Sequence, residues 1–102
     1  MVGNRYAEAI ALSERALVLL KAHQRDTSGA ATQLGAIALI QDRMQDAERY
    51  YRDARTYYYA HYPIGASAFA RNDVSVAGLR IAQGRYREAE VLLRQARQAE
   101  AE

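Results

Sequence analysis

Tyrosine is the residue type with the most uneven distribution in this 102-residue chain. Six of its eight tyrosines fall in one short stretch, at Tyr50, Tyr51, Tyr57, Tyr58, Tyr59 and Tyr62. A tyrosine combines a large apolar ring with a hydroxyl group, so it serves both in cores and at interfaces. Tyr51 and Tyr58 are spaced to share one face of a helix, which predicts core positions for them. Tyr50 and Tyr57 share a neighbouring face, where two interpretations stay open: more core, or a contact patch for a partner or a second protomer.

The two histidines, His23 and His61, each come near the predicted end of a helix, where a positive charge is favoured. Neither has a second histidine or a carboxylate at the spacing of metal ligands. The chain has no cysteine, no glycine-rich phosphate loop, no nucleophile elbow and no paired-histidine helix. We therefore expect neither an enzyme nor a metal or cofactor site.

Arginine is abundant, but its charge is largely balanced. Fourteen Lys and Arg against twelve Asp and Glu leave a net charge of +2, too small by itself to require a nucleic-acid partner. Arginines and acids alternate on the third and fifth predicted helices, a pattern typical of solvated faces. RNA binding through residues such as Arg94 and Arg97 is therefore the least favoured of the functions considered.

The sequence shows no sign of a membrane segment. No stretch approaches the roughly 18 apolar residues that a membrane-spanning helix needs. The first residues, Met1 to Arg5, lack the apolar region of a signal peptide. We therefore expect a cytoplasmic protein without a membrane partner.

Hydrophobic residues recur at helical spacing, and one proline and six glycines leave few breaks. Five helices are predicted, over residues 4–24, 30–41, 45–61, 64 or 66 to 82, and 86–102. Their predicted buried positions are Tyr6, Ala9, Ile10, Ala16, Leu17 and Leu20 in the first, Ala31, Leu34, Ile37 and Ala38 in the second, Ala47, Tyr51, Ala54 and Tyr58 in the third, and Ala89, Leu92, Leu93 and Ala96 in the fifth. Asp26, Thr27 or Ser28 is expected to cap the second helix. Gly84 is expected to adopt a left-handed conformation in the last turn.

The chain also repeats itself. A large apolar residue, an acidic residue two positions on and then an alanine recur around Ala9, Ala47 and Ala89, which are 38 and then 42 residues apart. A large residue followed by a small one, Leu34-Gly35 and Val76-Ala77, precedes the second and third of these alanines. Small residues at such points let antiparallel helices approach closely, so the repetition predicts stacked helical hairpins.

The residues of the repeat carry a family resemblance. Residues 84–90 with Leu93 and Ala96 resemble the turn and second helix of a tetratricopeptide repeat, and Leu34-Gly35 with Ala47, Tyr51 and Ala54 resembles the signature of another. The 42-residue spacing is similar to the lengthened repeats of kinesin-light-chain type. The resemblance implies one all-α domain over residues 1–102, a right-handed α-superhelix of antiparallel hairpins with a lone helix at 4–24 and repeats at 30–61 and 64–102. The chain departs from the family pattern at Asp73 and Ala31, where a bulky residue is usual, and at Ala38 and Arg80, where an aromatic is usual.

In tetratricopeptide proteins the first helix of each repeat lines a concave groove. The resemblance places eight residues there: Thr32, Gln33, Ala36, Ile40, Arg71, Val74, Ser75 and Gly78. Thr32 and Ala36 stand where some family members clamp a peptide carboxylate with Lys and Asn, which disfavours such a clamp. Arg71 is the one charge of this lining, so we expect a bound helix or extended peptide with an acidic residue near it. A solvated groove without a ligand is the alternative.

The leading expectation is a scaffold that binds a protein or peptide and has no chemistry of its own. The first helix carries more apolar residues than one face can bury, among them Ile10, Leu12, Leu17, Val18, Leu19 and Leu20. We expect a second copy, a partner or a further part of a longer protein to cover the excess. The second hypothesis is therefore a regulatory or self-assembly module, a homodimer through the first helix and the tyrosine-rich third helix.

Overall fold

The computed structural model describes residues 2–23 and 25–101. It contains five helices: α1 (Val2–Ala22), α2 (Ser28–Ile40), α3 (Met44–His61), α4 (Ser67–Ala82) and α5 (Tyr86–Ala101). Every regular element in these ranges is a helix, which confirms the predicted all-α fold. The boundaries of the inner helices agree with the predicted ones within about three residues, whereas the predicted ends at Gln24 and Glu102 lie outside the described residues.

Consecutive helices pack as hairpins. The pairs α2–α3 and α4–α5 share the most extensive contacts, α4 also packs on α3 and α2, and α1 contacts α2 alone among the described residues. Ala38, Ala47 and Ala54 have no exposed surface, because they stand where neighbouring backbones come closest. The abundance of alanine thus follows from the close approach of the helices within the hairpins.

The turns within the two hairpins have the same backbone structure. Asp42 has a φ angle of 63°, and the amide of Arg43 donates to the carbonyl of Ala38 at 2.8 Å. Forty-two residues later, Gly84 has a φ angle of 75°, as predicted, and the amide after it also donates to the carbonyl five positions back at 2.8 Å. A left-handed residue followed by this hydrogen bond is the Schellman ending of a helix. Each hairpin therefore begins its second helix from the same geometry.

The core face of α3 is the one that residue spacing predicts. Ala47, Tyr51, Ala54 and Tyr58 are its buried residues, and the predicted buried residues of α2 are confirmed as well: Ala31, Leu34, Ile37 and Ala38. Gly35 lies against the ring of Tyr51, so closely that a β-carbon at position 35 would fall 2.6 Å from Cε1. The glycine is therefore required by the neighbouring ring.

α5 is less buried than predicted. Ala89 and Ala96 are buried and Leu92 is half-buried, but Leu93 is 40% exposed. The prediction for Leu93 is wrong because α5 packs on α4 alone in the described chain, so no further helix covers the outer side of α5.

Two sets of ion pairs hold α4 against its neighbours. Arg55 of α3 pairs with Asp73, a residue that is nearly fully buried. Arg80 donates two hydrogen bonds to the carboxylate of Glu48, at 2.9 and 3.1 Å, and its Nε lies 3.4 Å from Glu88. Asp73 and Arg80 are two of the positions at which the sequence departs from the tetratricopeptide pattern, and in the structure each forms ion pairs with a neighbouring helix.

α1 has two apolar sides. The predicted core residues Tyr6, Ala9, Ile10, Ala16, Leu17 and Leu20 are all half-buried. Leu12 and Val18 are 66% exposed and Leu19 is also exposed, so the excess of apolar residues noted in the sequence does face outward. No helix in the described part of the chain is long and apolar enough to cross a membrane. The helices form a slab of 39 × 34 × 19 Å, whose right-handed superhelical course stays a prediction.

Candidate functional site

A cleft of about 330 Å³ opens between α2 and α4. The loop between α1 and α2 closes one end of it, and α3 contributes one residue to its wall. It is lined by Asp26, Ser28, Gly29, Thr32, Tyr58, Arg71, Asn72 and Ser75. Hydrogen-bonding side chains form most of this lining, so the cleft suits a polar or charged group.

Arg71 supplies the positive charge of the cleft. Its side chain is exposed, and it enters no ion pair with the described residues. Across the cleft, the hydroxyl of Thr32 has no hydrogen-bond partner within the described part of the chain, whereas the hydroxyl of Ser75 donates to the carbonyl of Arg71 at 3.2 Å. An anionic group in the cleft can thus receive hydrogen bonds from a guanidinium and from a threonine hydroxyl.

Asp26 gives the loop end of the cleft a negative charge. Its Oδ1 accepts hydrogen bonds from the amide and hydroxyl of Ser28, at 2.8 and 2.5 Å, and its Oδ2 accepts one from the Tyr62 hydroxyl at 3.0 Å. Burial alone would raise the pKa of Asp26, but these bonds outweigh it and hold the pKa below its ordinary value of 3.8. The hydrogen bond between Tyr62 and Asp26 also raises the pKa of Tyr62. The cleft is therefore polarised, with a satisfied carboxylate at the loop and a cation at Arg71.

The wall beside Arg71 is fixed by buried hydrogen bonds. The Asn72 amide nitrogen donates to the carbonyl of Tyr51 at 3.1 Å, and its amide oxygen accepts from Arg55 at 3.2 Å. Tyr58 packs edge-on against Phe69, with ring centroids 5.9 Å apart. Since these neighbours are held in place, the cleft exists before any ligand binds.

Three of the eight predicted groove residues meet in this cleft: Thr32, Arg71 and Ser75. Gln33 lines a separate cleft between α1 and α2. Ala36, Ile40 and Val74 are exposed and Gly78 is half-exposed, and none of these four lines the cleft at Arg71.

Five lining residues of the cleft are absent from the predicted groove: Asp26, Ser28, Gly29, Tyr58 and Asn72. The sequence offered an indication for Asp26 and Ser28. Both are candidate caps of α2, and stacked hairpins are expected to bring the start of α2 close to α4. Asp26 does hydrogen-bond the first amide of α2, although it precedes the capping position itself, Thr27. Tyr58 and Asn72 gave no such signal, since their spacing predicts only burial.

The tyrosines of α3 mostly contact one another and the core. Tyr57 stacks on His61 with ring centroids 4.1 Å apart, and Tyr59 packs against Phe69 at 5.1 Å. Tyr57 is half-buried beside the core cluster that contains Tyr58 and Phe69. These contacts account for most of the tyrosine cluster within the chain.

No protein-family model, curated protein or solved structure matches the chain. The tetratricopeptide resemblance therefore rests on the residues of the sequence alone.

Proposed function

We propose that this chain is a binding scaffold that holds an acidic peptide segment in the cleft between α2 and α4. The observation that supports the proposal is the convergence of Arg71 and Thr32, from two different helices, on one pre-formed cleft. Arginine binds carboxylates with charge-assisted hydrogen bonds, and an adjacent hydroxyl adds a second donor. The satisfied carboxylate of Asp26 repels an acidic group from the loop end, so the segment places its acid at Arg71.

The proposal includes membership of the tetratricopeptide family and a cytoplasmic location. The repeated hairpin turn, the small residues at the helix crossings and the alternation of α2–α3 with α4–α5 support the family membership.

A displayed library of short peptides, selected on the immobilised chain, tests the proposal directly. We expect the selected peptides to be enriched in Asp and Glu. Binding of the best of them should weaken at least about ten-fold in Arg71→Glu, because one carboxylate–arginine contact is worth about 1.5–3 kcal/mol. Thr32→Val should weaken it less.

Arg87→Glu is the matched control, because Arg87 is an exposed arginine of α5 that lies outside the cleft at Arg71 and undergoes the same change of charge. Peptides without acidic residues, or equal binding by the Arg71 and Arg87 variants, would contradict the proposal.

Self-association through α1 is the second candidate function. Leu12, Val18 and Leu19 form an exposed apolar face on a helix that, within the described part of the chain, contacts only α2. This face favours α1 over the tyrosine-rich face of α3, whose rings already pack within the chain. Light scattering over a range of concentrations should then show a mass that rises towards a dimer. Leu12→Glu should restore the monomer, and Gln98→Glu, which adds the same charge to an exposed position of α5, should not.

A further inference from the structure

A second groove lies at the far end of the helix array, between the end of α4 and the outer side of α5. Its volume is about 400 Å³, and its lining includes Ile81, Tyr86, Ala89, Glu90, Leu93 and Arg97. Ile81 is 47% exposed and Tyr86 is 67% exposed, so large apolar side chains meet solvent there. The concave cleft at Arg71 shares none of these residues.

An equivalent groove occurs earlier in the chain, where α4 occupies it. The residues 42 positions earlier are Leu39, Met44, Ala47, Glu48, Tyr51 and Arg55. The apolar members of that set pack into one cluster with Val76 and Leu79 of α4. Each large apolar residue of the end groove thus has a large apolar counterpart that a helix covers.

Charged residues fix α4 in the filled groove. Glu48 accepts two hydrogen bonds from Arg80, and Arg55 pairs with Asp73. Glu48 precedes Arg55 in α3, whereas its partner Arg80 follows Asp73 in α4, so α4 lies antiparallel to α3. Asp73, Val76, Leu79 and Arg80 therefore form the face that the groove recognises: an acid, aliphatics three and six positions later, and an arginine at seven.

The end groove carries the same charges in the same order. Glu90 stands in the place of Glu48, and Arg97 stands in the place of Arg55. Glu90 now pairs with Arg94 at 2.6 Å, but both side chains are mostly exposed, so little free energy opposes an exchange of partner. The groove therefore offers an apolar floor, an acid and a base to an incoming helix.

We propose that this end groove binds an amphipathic helix of a partner protein, antiparallel to α5, through the face that α4 presents to α3. The partner helix carries an acidic residue opposite Arg97, two aliphatic residues in the groove, and an arginine opposite Glu90. Burial of the aliphatics drives the binding, and the two charges set its direction and register.

The other helices of this chain fit the groove less well than such a partner. α1 has Glu8 and Arg15 at the required spacing, but Glu14 would occupy the second aliphatic position and bury a carboxylate without a counter-charge. α5 has Glu90, Leu93 and Arg97, but Ala96, which would be its second aliphatic, is buried within its own chain. A second copy is therefore disfavoured as the occupant.

A peptide with the sequence of residues 67–82, acetylated and amidated, is the probe for the test. The peptide carries a fluorophore, and its fluorescence anisotropy should rise to a plateau as increasing amounts of the full chain are added. Glu90→Arg and Arg97→Glu should each weaken binding at least about ten-fold, since each sets two like charges opposite one another. Arg87→Glu, outside the groove, should bind the peptide as the unchanged chain does.

A charge swap makes the test specific. A peptide in which the acid and the arginine exchange places should bind the unchanged chain poorly, and it should bind the double variant Glu90→Arg/Arg97→Glu tightly. Circular dichroism verifies that the variants, all at exposed positions, remain folded.

Three outcomes would overturn the proposal. The first is an absence of binding at millimolar peptide. The second is binding that ignores Glu90→Arg, which would place the peptide elsewhere. The third is a homodimer in light scattering that dissociates on Leu93→Glu, which would assign the groove to a second copy.

Discussion

At the scale of single residues, the contact between Gly35 and Tyr51 has a direct energetic consequence. A methyl group at position 35 would lie 2.6 Å from one ring carbon and 2.8 Å from the next, and the ring is itself buried. We expect Gly35→Ala to lower the free energy of unfolding by about 1–2 kcal/mol, even though alanine is the better helix former. Urea denaturation followed by circular dichroism measures the loss.

Gly78→Ala is the control for that prediction. Gly78 is also inside a helix, but apart from its chain neighbours and the backbone of its own helical turn, nothing lies within 4 Å of its added β-carbon, so the substitution should stabilise the chain by about 0.5–1 kcal/mol. The residues 42 positions after Gly35 and Tyr51 are Ala77 and Leu93, so the second hairpin has a larger residue in place of the glycine and a smaller one in place of the tyrosine. The cost of Gly35→Ala should therefore shrink in a Tyr51→Leu background. Equal effects of alanine at 35 and 78 would show that the ring moves aside freely.

Asp26 gives the fold a dependence on pH. Its pKa is lowered in the folded chain, so folding favours the carboxylate form. The resulting stability is fully present above the unfolded value of 3.8 and is lost as the pH falls through the lower folded pKa. Urea midpoints measured from pH 6 to pH 2 should fall less steeply in Asp26→Asn than in the unchanged chain. Parallel curves would mean that Asp26 gains nothing from Ser28 and Tyr62.

At the scale of elements, the α3–α4 contact depends on a charged pair in an alanine-rich core. Asp73→Leu leaves the Arg55 guanidinium half-buried without its counter-charge, which should cost about 1–3 kcal/mol of unfolding free energy. Arg55→Met combined with Asp73→Leu should recover most of this loss, because an apolar pair needs no desolvated charge. Chemical denaturation of both variants measures the difference. A double variant no more stable than Asp73→Leu would show that the pair is needed as such.

The exposed pair of Glu90 and Arg94 is the matched control at this scale. Its two side chains are both more than half exposed, so Glu90→Gln should change the free energy of unfolding by no more than about 0.5 kcal/mol.

Helix type and helix face were predictable to different degrees. The steps of four, three and four between Ala47, Tyr51, Ala54 and Tyr58 leave one helical face, and the structure buries it. Leu93 shows the limit of prediction from residue spacing. Spacing places an apolar residue on one face of a helix, but it does not tell whether a neighbouring helix covers that face. Asp42 shows another, since a left-handed aspartate carries a weaker signal than the glycine at the equivalent position 84.

The candidate site was predictable where it depends on helix position alone. Thr32, Arg71 and Ser75 follow from the faces of α2 and α4. The contributions of Asp26 and Asn72 depend on a loop path and on a buried amide network, which residue spacing does not encode.

At the scale of the whole molecule, each helix in the described part of the chain contacts mainly the helices next to it in the sequence. The radius of gyration is 14.2 Å, above the roughly 13 Å expected for a globule of this length. In such an array each unit is stabilised by its neighbours, so an end helix with one neighbour is held least. Among the described residues, α1 contacts α2 alone. Its amide hydrogens should therefore exchange with solvent faster than those of α2 and α3, as measured by mass spectrometry on peptic fragments. Equal protection would point to a covering partner, such as a second copy.

The shared geometry of the two turns bears on how such a chain lengthens. Residues 43–84 begin and end at the same point of the same turn, so a tandem duplicate of this segment joins its neighbours through backbone bonds that the chain already makes. The side chains are more selective than the backbone. The new junction would set Ala77, in place of Gly35, opposite Tyr51. A duplication would therefore persist only with a smaller residue at the copied position 51, as Leu93 is in the last hairpin, and growth of the array is limited by inherited pairs of side chains.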